Sequence, residues 1–208
     1  NRYLLPFAEK IFVSSNELEG ASEKNKKKII QVGNILREEI INFDSSNKIN
    51  FDKIKILVLG GSQSAKIFAE VLPQIFEKLR NDGIPIKIFQ QCQINQTEKL
   101  SKFYKKIDID YEIFNFTNKI VNYYSKVNLA ITRSGSSVLS ELVNTRTPFI
   151  AIPLPTSADD HQLKNAQYYE KKGFGYLVEE KSLTNKLYDL INSISKDKNI
   201  IKEIILNQ

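Results

Sequence analysis

Cysteine and histidine are nearly absent from this chain of 208 residues, which contains one of each, Cys92 and His161. A single cysteine excludes an internal disulfide framework and any metal site built from several cysteines. Because it lies in the apolar stretch IKIFQQCQI, Cys92 is predicted to be a small core residue. One histidine leaves little room for a metal centre or a Ser-His-Asp triad.

Long apolar runs are also missing, since none approaches the ~20 residues that span a bilayer, and no signal-peptide pattern is present. The net charge of +6 is spread along the chain, apart from a run at Lys24 and Lys26–Lys28. Such a run is typical of a solvated face, and the alternative is a patch that faces phosphates or an anionic membrane.

No nucleic-acid recognition motif is present, so no nucleic-acid partner is predicted. The chain is predicted to be cytoplasmic or peripheral to a membrane from the cytosolic side. It begins with Asn1 and is predicted to be part of a longer protein.

From Lys55 onward, short runs rich in Ile, Val, Leu and Phe alternate with longer helical patterns. The predicted strands are Ile56–Leu59, Ile86–Gln91, Tyr111–Phe116, Leu129–Thr132, Phe149–Pro153 and Tyr176–Glu179. The predicted helices are Ser64–Arg80, Gln96–Lys106, Lys119–Lys126, Ser137–Asn144, Asp160–Lys172, Thr184–Ile194 and Asn199–Leu206. Continuous apolar strands separated by helices indicate a parallel sheet covered on both faces. The predicted fold class is therefore α/β, a doubly wound Rossmann-like domain.

The first part of the chain fits this pattern less well. AEKIFVSS and KKIIQVGN predict two further short strands, which flank an acidic and lysine-rich loop. LREEIINFDSSNKINFDK then predicts a short helix and a polar linker. The predicted organisation is the end of a preceding domain and a hinge at 1–42, a linker at 43–54, and the main domain at 55–208.

Ligands of parallel sheets bind beyond the carboxyl ends of the strands, which directs attention to the loop GGSQSA. The chain has only 8 glycines, yet Gly60 and Gly61 stand side by side after a buried strand. They allow the backbone to approach a ligand, and Ser62, Gln63 and Ser64 add donors at a helix N-terminus, which favours anions. A phosphate site and a plain capped turn are both compatible with this pattern.

The second such loop is TRSGSSVLSEL, Thr132–Leu142, which again runs from strand through small residues into a helix. Glu141 lies about one turn into that helix, from where a carboxylate can reach two adjacent sugar hydroxyls, as in dinucleotide sites. The alternative is a capping or solvated glutamate.

The third loop is PLPTSADDHQLKNAQ, in which Asp159 or Asp160 is predicted to cap the following helix. Gln162 and Asn165 are three residues apart and share a helix face. Paired amides suit neutral sugar hydroxyls, although a polar helix surface is the simpler interpretation of this loop alone. The metal-type spacing Asp108-Ile109-Asp110 precedes a strand, at the opposite end of the sheet, so no metal role is predicted for it.

Together, GGSQSA, TRSGSSVLSEL and IPLPTSADDHQLKNA resemble the C-terminal half of the MurG family in order and spacing. These GT-B glycosyltransferases move N-acetylglucosamine (GlcNAc) from UDP-GlcNAc to an undecaprenyl-diphosphate-linked muramoyl-pentapeptide. GNILR, Gly33–Arg37, resembles the family's hinge motif Gly-Asn-Pro-x-Arg, and NRYLLPFAEKIFVSS resembles the end of its N-terminal domain. The resemblance implies the C-terminal half of a GT-B enzyme that acts in peptidoglycan synthesis, with a remnant of the N-terminal domain.

The resemblance also implies roles for individual residues. Ser62 and Gln63 would contact the diphosphate, Thr117 the uracil through its backbone, and Glu141 the ribose hydroxyls. The implied site for UDP-GlcNAc comprises Arg37, Gly60, Gly61, Ser62, Gln63, Thr117, Ser136, Ser137, Val138, Leu139, Ser140, Glu141, Gln162 and Asn165, with the last two on the GlcNAc hydroxyls. No cofactor and no metal are implied. The lipid-linked acceptor and any membrane association would belong to the complete enzyme.

Two positions depart from the family pattern, with Ser64 in place of Gly and Ile35 in place of Pro. The family's catalytic histidine belongs to its N-terminal domain, so no catalytic residue is implied in this chain, and His161 does not take that role. The chain is therefore predicted to supply the donor site and to be inactive alone. One alternative is a separate soluble subunit recruited by a membrane partner, as in the dolichol-linked chitobiose transferase. Another is a non-catalytic nucleotide-sugar-binding remnant.

Overall fold

The computed structural model describes residues 4, 7–14, 22–45 and 52–208, with the backbone alone at 62–65. The chain divides into two compact units, Asn1–Arg37 and Glu38–Gln208. Among the described residues, no helix is both long enough and apolar enough to cross a membrane.

The first unit contains a pair of short parallel strands, β1 (Ile11–Val13) and β2 (Ile29–Gln31), with Ile11 opposite Ile29. Both strands lie in the segments that predicted them. The loop between them carries a helix that the sequence did not predict, α1 (Glu23–Lys26). An ion pair of 2.6 Å between Lys26 and Glu23 spans its single turn, at a spacing that brings two side chains together on a helix.

The second unit is built on a parallel sheet of six strands. In chain order, its elements are α2 (Glu38–Ile41), β3 (Ile54–Leu59), α3 (Gly61–Asn81), β4 (Ile86–Gln91), α4 (Thr97–Lys106), β5 (Asp110–Phe114), α5 (Val121–Tyr124), β6 (Leu129–Thr132), α6 (Ser136–Asn144), β7 (Phe149–Ala151), α7 (His161–Lys171), β8 (Gly175–Leu177), α8 (Leu183–Lys196) and α9 (Asn199–Asn207). The strand order is β5-β4-β3-β6-β7-β8. Counted from β3, this is the order of Rossmann folds, and it reverses between β3 and β6. The predicted fold class is confirmed.

Helices cover both faces of the sheet, which explains why the strands read as continuous apolar runs. On one face, Ile56 and Val58 belong to a core cluster with residues of α3 and α8, such as Phe68 and Leu187. The intervening residues of each strand point to the opposite face. There the ring of Phe149 on β7 packs edge-on against Tyr169 of α7, with 6.1 Å between the centroids.

Cys92 follows β4 and is 3% exposed within the same core cluster. Its burial raises the pKa of the thiol, and a weaker contact with the Thr97 hydroxyl acts in the opposite direction. The prediction of a small core residue is confirmed, because the thiol is removed from solvent and held in its neutral form.

Candidate functional site

A cavity of about 410 Å³ lies at the carboxyl ends of β3, β4 and β6. It sits where the strand order reverses, which is the position at which open α/β sheets bind ligands. The residues that line it are Leu59, Gly60, Gly61, Gln91, Phe116, Thr117, Ile120, Tyr124, Thr132, Arg133, Gly135, Val138, Glu141, Leu154 and Gln162.

The loop after β3 is shorter than the sequence predicts. Helix α3 begins at Gly61 rather than Ser64, with Gly60 at the N-cap. Gly61 has a φ of +63°, a left-handed conformation that glycine adopts without a steric penalty, so the chain turns directly from strand to helix. Both glycines line the cavity, at the positive end of a helix of 21 residues. The side chains of Ser62 and Gln63 lie outside the described part of the structure.

The loop after β6 leads into α6, which begins at Ser136 with Gly135 at its N-cap. Val138 and Glu141 line the cavity, whereas Ser136 and Ser137 in the first turn do not. Leu139 and Ser140 are both buried. The Ser140 hydroxyl donates to the Ser136 carbonyl at 2.8 Å and lies 2.9 Å from the Tyr169 hydroxyl. The side chains at 139 and 140 therefore pack α6 against the rest of the domain.

Glu141 receives a hydrogen bond from a residue that the sequence did not single out. The Tyr124 hydroxyl donates to Oε2 of Glu141 at 2.8 Å. Tyr124 is 1% exposed, yet it also lines the cavity. In the stretch VNYYSKV nothing distinguishes Tyr124 from its neighbour, so only the fold reveals this contact.

One wall of the cavity is the segment between β5 and α5, which contributes Phe116, Thr117 and Ile120. Asn115 ties the start of this segment to the β4 side, since its amide donates to the Cys92 carbonyl at 3.1 Å. The Thr117 hydroxyl accepts from the Lys119 backbone N–H at 3.0 Å, which fixes the local turn. Thr117 thus lies in the cavity wall, on a turn that its own side chain stabilises.

The loop after β7 brings Gln162 to the cavity, where its Oε1 accepts from the Leu154 backbone N–H at 3.1 Å. Asn165, one turn further along α7, is not among the lining residues. Its amide donates to the Ser134 carbonyl at 3.0 Å and so supports the loop before α6. Asp160 is the N-cap residue of α7, but it has a φ of +53° and makes no side-chain cap hydrogen bond. The predicted capping role is wrong, because a left-handed backbone precedes the helix.

Arg133 is a second residue that the sequence did not assign to the site. It follows β6, is 7% exposed, and lines the cavity. Its guanidinium donates to the carbonyls of Ile152 and Pro153 at 3.2 and 3.1 Å and pairs with Glu180 at 2.5 Å. It also lies over the Phe68 ring, 4.9 Å from the centroid. A charged residue directly after a buried strand could have marked Arg133 as a candidate for the site. Its partners are too distant in sequence to be predicted.

The remaining residues that the sequence analysis considered are Arg37, Asp108 and Asp110. Arg37 belongs to the first unit. Asp108 and Asp110 lie at the amino end of β5, and they pair with Arg80 at 3.2 Å and with Lys87 at 3.2 Å. Within the described ranges, no group of His, Cys, Asp and Glu residues could hold a metal ion.

A Rossmann-like sheet with a cavity at its switch point is the architecture of proteins that bind ligands beyond the carboxyl ends of parallel strands. Residues 55–204 match the model of the glycosyltransferase family 28 C-terminal domain. The chain therefore belongs to glycosyltransferase family 28, and the resemblance to the MurG family that its motifs indicated is confirmed.

Individual relatives agree with this assignment. A protein of Pelagibacter ubique is 38% identical over 98% of this chain and 57% of its own length. A protein of Rickettsia felis is 34% identical over 93% of this chain and 58% of its own length. Both are named UDP-N-acetylglucosamine–N-acetylmuramyl-(pentapeptide) pyrophosphoryl-undecaprenol N-acetylglucosamine transferase. The chain thus spans somewhat more than half of these relatives.

Among solved structures, Acinetobacter baumannii MurG superposes with a TM-score of 0.73 at 22% identity. The match covers 88% of this chain and 56% of that one. At this identity the comparison shows the fold, and it agrees with the α/β architecture described above.

Proposed function

We propose that this chain supplies the UDP-GlcNAc site of a glycosyltransferase that transfers GlcNAc to the undecaprenyl-diphosphate-linked MurNAc-pentapeptide in peptidoglycan synthesis. One observation carries the proposal: Gly60, Gly61, Glu141 and Gln162 come from three separate motifs, yet they line one cavity. The names of the Pelagibacter and Rickettsia relatives give the donor, the acceptor and the reaction.

The chemistry of the cavity suits the parts of this donor. The backbone N–H groups in the first turns of α3 and α6 suit the diphosphate, because helix N-termini favour anions. A carboxylate such as Glu141 accepts hydrogen bonds from the two ribose hydroxyls, and the Thr117 segment offers backbone groups to the uracil edge. Gln162 provides an amide for the GlcNAc hydroxyls, and Asn165 stands one turn away. We expect Ser62, Gln63 and the first turn of α6 to complete the site.

In the proposed reaction, a hydroxyl of the acceptor attacks C1 of GlcNAc with inversion, and a base takes its proton. The helix N-termini of this chain stabilise the negative charge that develops on the departing UDP, in a site that requires no metal. We propose that the base and the acceptor site lie in the part of the relatives that this chain does not match. In the complete enzyme, which we place on the cytoplasmic face of the inner membrane, that part also makes the membrane contact.

A split-enzyme assay tests this function. The chain is expressed alone and together with the N-terminal part of the Pelagibacter relative, and transfer of labelled GlcNAc to the lipid-linked acceptor is measured. We expect transfer only from the pair, and a pair carrying Glu141→Ala should lose at least about tenfold in rate, because a charge-assisted contact to the donor is gone. Transfer by the pure chain would contradict its proposed dependence on a second part. A folded pair without transfer would favour a non-catalytic nucleotide-sugar-binding module.

A further inference from the structure

The short helix α5 contributes to the cavity wall at both of its ends. Ile120 at its N-cap lines the cavity, and Tyr124 at its last position both lines the cavity and donates to Glu141. The hydroxyl of Tyr124 therefore links the wall formed by the β5–α5 segment to the carboxylate on α6. With 1% exposure, Tyr124 has little freedom to choose another rotamer.

The neighbouring tyrosine holds α5 in place from the other side. The ring of Tyr123 stacks on Phe114 of β5, with 4.2 Å between the centroids. Its hydroxyl donates to Oε1 of Glu112 at 2.9 Å. Burial and the bond to Glu112 raise the pKa of Tyr123 to about 12, so this donor keeps its proton at physiological pH. The stacked ring of Tyr123 thus fixes α5 to the sheet, and this in turn fixes the position of Tyr124.

From this geometry we infer that Tyr124 is a positioning residue that orients the Glu141 carboxylate toward the ribose hydroxyls of a uridine nucleotide. The inference rests on the proposed function, since it assigns Glu141 to the ribose. A hydrogen bond from a buried phenol holds one carboxylate oxygen in a fixed direction. Glu141 then loses less side-chain freedom when the ligand binds. Tyr124 makes this contribution through Glu141 and takes no part in the chemical step.

A stabilising bond between α5 and α6 is the simpler explanation of the same contact, and ribose-modified ligands separate the two. UDP and 2′-deoxy-UDP are titrated calorimetrically into the wild-type chain and into Tyr124→Phe, which keeps the ring and removes the hydroxyl. The wild type should prefer UDP by about tenfold, the value of a hydrogen bond to a charged group. Tyr124→Phe should weaken UDP binding by about fivefold and leave 2′-deoxy-UDP within about twofold, since only the ribose contact depends on the orientation of Glu141.

Tyr123→Phe is the matched control, because it removes the adjacent hydroxyl, which also donates to a glutamate, but Tyr123 does not line the cavity. Because it keeps the ring that stacks on Phe114, it should leave α5 in place and the preference for UDP over 2′-deoxy-UDP unchanged. A second test compares Glu141→Gln with the double variant that also carries Tyr124→Phe. Adding Tyr124→Phe to Glu141→Gln should cause less than about twofold further loss of UDP affinity, since coupled residues are non-additive.

The outcomes separate the inference from the proposed function. A wild-type chain that does not bind UDP would overturn the proposed function and the inference with it. A wild type that binds both nucleotides equally would overturn the ribose role of Glu141 and the inference, but not nucleotide binding. A Tyr124→Phe variant that keeps its UDP affinity, or that loses both ligands by the same factor, would overturn the inference alone.

Discussion

Gly61→Val is expected to abolish detectable binding of UDP-GlcNAc while the domain stays folded. Gly61 has a φ of +63°, a conformation that β-branched residues strongly disfavour. Apart from its chain neighbours, no described atom lies within 4 Å of a Cβ at this position, and Gly61 lines the cavity, so the added side chain points into space that a ligand would occupy. Relief of the strain would also shift the first N–H groups of α3. The measurements are calorimetric titration and chemical denaturation of the same variant.

Gly83→Val is the matched control for this substitution. Gly83 follows the other end of α3 and has a φ of +76°, and apart from its chain neighbours it likewise has no described atom within 4 Å of a Cβ at its position. Both variants should lose about 1–3 kcal/mol of unfolding free energy through backbone strain. Gly83→Val should retain the wild-type affinity for UDP-GlcNAc, because it is remote from the cavity. Unchanged affinity in a folded Gly61→Val variant would refute a close approach of the backbone to the donor.

Arg133→Met is expected to destabilise the domain and to weaken donor binding together. The substitution removes the hydrogen bonds to Ile152 and Pro153 and leaves Glu180 without its partner. Breaking a largely buried ion pair from one side costs about 3 kcal/mol, so the denaturation midpoint should fall clearly. Since Arg133 lines the cavity beside the loop before α6, the affinity for UDP should drop by about tenfold or more, the loss expected for a contact that involves charge.

Arg80→Met provides the comparison for this pair. Arg80 contacts Asp108 at 3.2 Å, but the two side chains are 45% and 90% exposed. An exposed ion pair contributes less than about 1 kcal/mol, because water screens it. Arg80→Met should therefore change neither stability nor UDP affinity appreciably. Equal stability losses in the two variants would show that the burial of Arg133 has no energetic consequence.

Much of the fold follows from local sequence pattern. The predicted bounds of β4 and β6 match the structure at both ends, because each apolar run is bounded by polar residues or by a turn. Strand β5 was predicted to extend to Phe116 but ends at Phe114. Phe116 is 85% exposed at the cavity, so its aromatic character did not reflect strand formation. Helix α3 was predicted to begin at Ser64 but begins at Gly61. The left-handed backbone of Gly61 makes the whole turn, so the polar residues that follow it belong to the helix and not to a loop.

The site was predictable where function depends on residues close in sequence. Gly60, Gly61, Glu141 and Gln162 each lie in a short motif after a strand, and the topology brings these loops together. Tyr124 and Arg133 were not predicted, because their roles depend on Glu141 and Glu180, which the fold brings near from other elements. Leu139 and Ser140 show the reverse case. Their position in the motif suggested ligand contact, but their side chains are buried and pack α6 into the domain.

Calorimetric titration is the direct test of a selective site for UDP-GlcNAc in this chain. UDP-GlcNAc is titrated into the folded chain, with UDP-GalNAc and GDP as controls. The GalNAc epimer probes the amides of α7, and GDP probes the wall formed by the Thr117 segment. We expect saturable binding of UDP-GlcNAc, weaker binding of UDP-GalNAc and no binding of GDP. Equal binding of all three ligands, or no binding by a chain shown to be folded, would contradict a selective UDP-GlcNAc site.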